Sequence, residues 1–157
     1  MSWIREKFTF EDMQRLLSKL AEKVKAFNGL SPSEIGEILA HAEKCTFGPG
    51  TNIVKEGNVG THMYIIIEGD AAVTKTGRGG PVELARLGPP DSFGEMGLAD
   101  NEVRSATVTA LTDCTLVRLN DQVICGRPEV AAKVYRNVAR VLSARLRNAD
   151  ETLVWRL

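Results

Sequence analysis

The chain has 157 residues, enough for one domain around a single core and too few for two of ordinary size. Twenty basic and twenty acidic residues balance, which excludes a global field that would draw the protein to nucleic acid or anionic lipid. Hydrophobic content of 43% and charged content of 25% are those of a folded globular protein. The longest apolar run, Met63 to Ile67, is far short of the roughly 18 residues that a membrane-spanning helix needs.

The N-terminal stretch MSWIREKFTFEDMQ alternates charged with apolar residues and lacks the apolar region of a signal peptide, which predicts a cytoplasmic protein. Phe10, Met13, Leu16, Leu17, Leu20, Val24 and Phe27 recur at helical spacing, so an amphipathic helix is expected over about 10–27, with Thr9 and Asp12 capping its start. Ser31, Pro32 and Glu34 form the N-cap, first position and capping box of a second helix. Its apolar face is Ile35, Ile38, Leu39 and Ala42.

From Cys45 to about Asn120 the period changes to short β-branched runs separated by glycines: CTF, NIV, MYIII, AAVTK, VELARL, SATVTAL and CTLVRL. Strands of that length and spacing predict a closed or double-layered antiparallel structure. The expected fold is mainly β with flanking α: a double-stranded β-helix, or jelly-roll, barrel between two N-terminal helices and one long C-terminal helix. That last helix follows Arg127 and Pro128, with Val130, Val134, Val138, Val141, Leu142, Arg145, Leu146, Ala149 and Leu153 at threes and fours. Its basic residues read as a solvated face. Cys45, Cys114 and Cys125 are odd in number and widely spaced, so they read as buried small hydrophobes rather than as a disulfide framework or zinc site.

The stretch FGEMGLADNEVRSATV, residues 93–108, carries the chemistry. GEMGLA is long enough for a short helix beginning near Gly94, whose first amides would face an anion. Gly94 and Gly97 allow close approach. Arg104 offers a planar fork for two phosphate oxygens, and Ser105 a hydroxyl beside it. Glu95 would repel a phosphate, so its natural partner is a hydroxyl donor a few ångströms away, such as a ribose 2′-OH. An acid, a base and free amides together describe a ribose phosphate. The plainer alternative is a surface ion pair between Glu95 and Arg104, which contributes little.

The runs FGPGTNIVKEG, MYIIIEGDAAV, FGEMGL and RSATVTA resemble the cyclic nucleotide-binding domain of bacterial catabolite activator proteins and of the regulatory subunits of cyclic AMP-dependent protein kinase. The similarity extends over roughly residues 30–150. It implies that 93–106 is the phosphate-binding cassette, with ligand-binding residues Phe93, Gly94, Glu95, Met96, Gly97, Leu98, Arg104, Ser105 and Ala106. Glu95 would accept from the ribose 2′-OH and Arg104 would hold the cyclic phosphate. Amides near Met96, Gly97, Leu98 and Ala106 would complete the cradle. Gly97 stands where the kinase subunits have alanine and the bacterial activators glycine. The resemblance also implies that residues 1–29 are a helical extension and 30–157 the ligand-binding domain, whose C-terminal helix acts as a lid. Val141, Leu142 and Leu146 are the candidates to cover the base.

The function expected is a cytoplasmic sensor that binds cyclic AMP, with cyclic GMP as rival, and relays ligand state through helix rearrangement to a downstream protein partner. No cofactor, metal or direct nucleic-acid contact is expected. His41 and His62 are too few for the metal site of barrel enzymes, and no nucleophile and base are paired, so no enzymatic role is expected. The alternatives are an interaction module that does not bind nucleotide, or a fragment of a transcription regulator lacking its DNA-binding domain. The C-terminal helix offers a route to a homodimer, although Arg145 and Asn148 interrupt its apolar seam.

Overall fold

The computed structural model describes residues 3–99, 101 and 103–156. A strand, β1 (Ile4–Lys7), precedes helix α1 (Phe10–Lys23); a 3-10 turn (Lys25–Phe27) and helix α2 (Pro32–His41) follow. Both capping boxes form as the sequence predicts. The Thr9 and Ser31 hydroxyls accept from the backbone N–H of Asp12 and Glu34, whose carboxylates accept in return from the cap amides. The first helix is shorter than expected, because the chain tightens into the 3-10 turn after Val24.

Strands β2 (Glu43–Phe47), β3 (Asn52–Val54), β4 (His62–Glu68), β5 (Ala71–Gly77), β6 (Gly80–Leu87), β7 (Ser92–Phe93), β8 (Thr107–Ala110) and β9 (Cys114–Asn120) occupy the predicted β region. Helix α3 (Met96–Ala99) lies between β7 and β8, and α4 (Asp121–Ile124) and α5 (Pro128–Arg156) close the chain. The seven apolar runs each fall on a strand, whereas β1, β7 and α4 are too short or too polar to announce themselves. All registered pairs are antiparallel. They build a five-stranded sheet, β1-β2-β9-β4-β7, and a four-stranded sheet, β3-β8-β5-β6.

The expected closed barrel is corrected here, because both sheets are open among the described residues. Strand β7 spans two residues and β6 ends the other sheet. A cavity lined from both strands lies there instead of a ladder.

Burial on both faces explains the unbroken run in β4. Met63 and Ile65 point to the helices, sharing a core with Leu20, Phe27, Ile35, Leu39 and Val134. Tyr64 and Ile66 point between the sheets, with Phe47, Phe93, Val108 and Leu116. The start of α5 is fixed by buried Asn137, whose amide donates to the carbonyls of Ala26 and Asn28 at 3.0 and 2.7 Å, and by Lys133 paired to Glu34 at 2.9 Å. Cys45 and Cys114 are buried as expected, and burial pushes the Cys45 thiol up to about 11. Cys125, expected to be buried, is exposed on the turn between α4 and α5. No helix among the described residues is long and apolar enough to cross a membrane.

Candidate ligand-binding site

A cavity of about 600 Å³ opens between β6, β7, the loop after α3 and α5. Phe93, Gly94, Glu95, Met96, Gly97, Arg104, Ser105 and Ala106 line it. Leu98, also expected at the site, is turned into the helical core.

The position of Glu95 follows from its neighbours. Phe93 is buried and stacks on Tyr64 of β4, with ring centroids 5.1 Å apart, which fixes the backbone just ahead of the cassette. Gly94 then turns the chain with a φ of 78°, a left-handed conformation that favours glycine. This turn buries Glu95 to 2% exposure. Its Oε1 accepts from the Ser92 hydroxyl at 2.6 Å and its Oε2 from Arg145 Nη1 at 2.9 Å. Arg145 comes from α5, and its Nη2 also donates to the Ser92 carbonyl at 2.8 Å. The buried carboxylate is therefore charge-compensated from the C-terminal helix.

Arg104 does not pair with Glu95. Its Nη1 donates to the Gly94 carbonyl at 3.3 Å and its Nη2 to the His62 carbonyl. The guanidinium lies in a sleeve of three glycines: a Cβ on Gly94 or Gly97 would stand 2.8 or 2.9 Å from Nη1, and one on Gly60 would overlap Nε. Gly60, just ahead of β4, thus makes room for that side chain. The Arg104 backbone is clamped as well, its N–H donating to Asn58 O at 2.7 Å and its carbonyl accepting from Gly57 N at 2.9 Å. Lys75 of β5 donates to the Ser105 carbonyl at 2.6 Å. Burial is the largest influence on Arg104 and lowers its pKa; among the described residues two of its five donors are in use, on carbonyls, which leaves three for an anion.

The amides of the cradle are divided. Those of Gly97 and Leu98 donate within the turn, to Gly94 O at 3.0 Å and Glu95 O at 3.1 Å. The α5 candidates separate too: Leu142 and Leu146 line the cavity, while Val141 lines a groove on the other side of Arg145. His62, at the start of β4, is half-buried, and burial holds its imidazole below the usual range. Among the described residues no three His, Cys, Asp or Glu side chains gather as a metal site would require.

The residue that sequence reasoning missed is Arg145, read as part of a solvated basic face and an interruption of a dimer seam. Its signal was its place on the apolar stripe of α5, between Leu142 and Leu146. A cation on an inward-facing stripe asks for a buried anion.

The cyclic nucleotide-binding domain matches residues 44–124, more than half of the chain. The Cyclic AMP receptor protein of Thermus thermophilus is 34% identical over 125 residues, covering 79% of this chain and 58% of that protein. The cAMP-dependent protein kinase regulatory subunit of Mycosarcoma maydis is 33% identical over 116 residues, covering 69% of this chain and 22% of the subunit. The chain thus spans from a fifth to about three fifths of these relatives. Among solved structures, Thermus thermophilus catabolite activator protein superposes with a TM-score of 0.77 at 32% identity, over 83% of this chain and 62% of that one. The Toxoplasma gondii kinase regulatory domain crystallised with cAMP gives 0.71 at 27% identity, over 88% and 51%. This chain belongs to the cyclic nucleotide-binding domain family.

Proposed function

We propose that the chain is a regulatory module that binds cyclic AMP, with cyclic GMP as the rival ligand, in the cavity between the sheets and α5. The observation that carries this reading is the placement of Glu95 and Arg104, nine residues apart in sequence, on one cavity of about 600 Å³. That volume lies within the roughly 300–1,000 Å³ of small-molecule sites. Two hydrogen bonds leave the Glu95 carboxylate with lone pairs for a ribose hydroxyl. Arg104 supplies a charged fork for the cyclic phosphate, with the Ser105 hydroxyl and the amides of the Gly94–Met96 turn and Ala106 beside it. The kinase regulatory domain crystallised with cAMP supports the choice of ligand class. The role is binding rather than catalysis.

Relay to a protein partner runs through Arg145. Glu95 is hydrogen-bonded to α5, so a ligand that engages Glu95 and also fills the space beneath Leu142 and Leu146 favours the docked helix over an undocked one. Beyond Leu146 the helix exposes Leu153, Val154 and Trp155, a surface for the downstream partner or for a second copy of the chain. We divide the chain into an N-terminal extension, 1–29, and the ligand-binding domain, 30–157, and place the module in the cytoplasm.

The test is the melting temperature with and without millimolar cyclic AMP, in the wild-type chain and in Arg104→Ala. Ligand that binds the folded state alone raises the midpoint. A rise in the wild type that is lost in Arg104→Ala is the expected result. No rise in either protein contradicts the reading and favours an interaction module.

A further inference from the structure

We propose that the chain carries a second anion site, separate from the cavity beside α5, in which Arg118, Tyr64 and Lys55 hold a small phosphate-bearing molecule at one end of the two sheets. The inference does not depend on the proposed function, because its three residues lie outside the cassette.

A cavity of about 470 Å³ lies between β3 with the segment that follows it, the start of β4, and β9. Lys55, Thr61, His62, Tyr64, Arg104 and Arg118 supply much of its lining, and no carboxylate lines it among the described residues. The strand period explains how Arg118 arrives there. Cys114 and Leu116 of β9 face the second sheet, so Arg118, two positions further on, lies on the same side. Tyr64 is its ladder partner on β4.

Positive charge is in surplus at this end of the sheets. Glu43 Oε2 accepts from Arg118 Nη1 at 3.0 Å and lies 3.8 Å from Arg5 Nη1, so one carboxylate serves two arginines. Lys55 is exposed, and among the described residues neither it nor Arg104 forms an ion pair. Burial first, and then the charges of Arg118 and Arg104, press the His62 imidazole towards its neutral form. A cleft lined by one sign of charge concentrates ions of the other.

A buried hydroxyl points the same way. Tyr64 is 6% exposed, and its oxygen accepts from Arg118 Nε at 3.2 Å. Its own proton meets no acceptor among the described residues, and a buried donor left unmet is costly. Arg118 Nη2 is also without an acceptor among them. A phenolic proton, a guanidinium edge and an ammonium on one cavity suit an oxoanion with several acceptor oxygens, and two cations in excess favour a dianion over a single carboxylate. The volume falls within the roughly 300–1,000 Å³ of small-molecule sites, which leaves room for the body of a phosphate ester.

The experiment is calorimetric titration of the whole chain with pyrophosphate and, separately, inorganic phosphate, with sodium chloride holding the ionic strength constant. Saturable binding of one pyrophosphate per chain is expected, with inorganic phosphate weaker. Arg118→Gln should weaken pyrophosphate about tenfold or more, and Lys55→Ala, at an exposed position, about threefold. Tyr64→Phe keeps the ring that stacks on Phe93 and removes only the hydroxyl, for an expected loss of about three- to tenfold. Melting temperatures show that each variant is folded, and Lys55→Ala and Tyr64→Phe carry the test if Arg118→Gln is not. Absence of saturable binding by the wild-type chain, or binding untouched by Lys55→Ala and Tyr64→Phe, overturns the inference. So does pyrophosphate that competes with cyclic AMP and ignores Arg118→Gln, because it then occupies the cavity beside α5.

Discussion

Glu95 is a carboxylate at 2% exposure, and two groups make that burial tolerable: the Ser92 hydroxyl and the Arg145 guanidinium. Desolvating an unpaired charge costs several kcal/mol, so the carboxylate depends on both. Arg145→Ala should lower stability by about 1–3 kcal/mol, less than for a fully buried pair because the arginine is itself half-exposed and its removal lets water reach the carboxylate. The Arg145→Ala, Glu95→Gln double variant should recover much of that loss, because no buried charge is then left unpaired. Chemical denaturation checks both. Equal stability of the single variant and the wild type would show that the ion pair is immaterial. Sequence alone identified Glu95 and Arg104 as cavity residues but not their protein partners, Ser92 and Arg145 for the carboxylate and the carbonyls of Gly94 and His62 for the guanidinium. Nothing in FGEMGL states that the carboxylate will meet an arginine fifty positions later. That pairing depends on the trajectory of α5, which Asn137 and Lys133 set by contacts outside the cassette.

At the scale of elements, the N-terminal helices show how much local signals can carry. Both capping boxes were legible because each is complete within four residues, Thr9 to Asp12 and Ser31 to Glu34. The strands of β4 and β9 were legible because both their faces are buried. Strand β1 was not: all four of its residues are exposed, and it exists through its ladder with β2 and the stacking of Trp3 on Phe47 at 5.3 Å. Openness of the sheets was hidden for the same reason, since edges depend on which strands meet in space. The first capping box also predicts a pH response. The Thr9 backbone N–H, the main cause, and Lys44 hold the Asp12 carboxyl at about 2 in the folded state, against 3.8 ordinarily. A lowered folded-state pKa means that the unfolded chain takes up the proton first. The stabilisation is therefore complete above about pH 4 and is lost as pH falls from 3.8 towards 2. Asp12→Asn should flatten that part of the stability profile, as followed by urea denaturation across the range. An acid limb of unchanged slope would remove Asp12 as a cause.

At the scale of the whole molecule, the two sheets, the helical layer and α5 converge on one opening. The five-stranded sheet is covered by helices on one face and by the second sheet on the other, and the cavity opens at its β7 edge. One wall of that opening is rigid ladder, another is the cassette loop clamped by Gly57, Asn58 and Lys75, and the third is a helix tied by Arg145. Two walls are held by the backbone of the sheets and the cassette, and the third is the helix on which the proposed relay depends. Undocking α5 would add the half-buried Leu142 to the apolar residues that the helix already exposes, Leu146, Leu153, Val154 and Trp155. The opening is proposed to take a cyclic nucleotide through Glu95 and Arg104. Calorimetric titration with cyclic AMP, using 5′-AMP as the control that lacks the ring, tests it most directly. The account predicts saturable binding of one cyclic AMP per chain, weakened by about 1.5–3 kcal/mol in Arg104→Ala, and no comparable binding of 5′-AMP. Equal binding of the two nucleotides, or an affinity indifferent to Arg104, would contradict it.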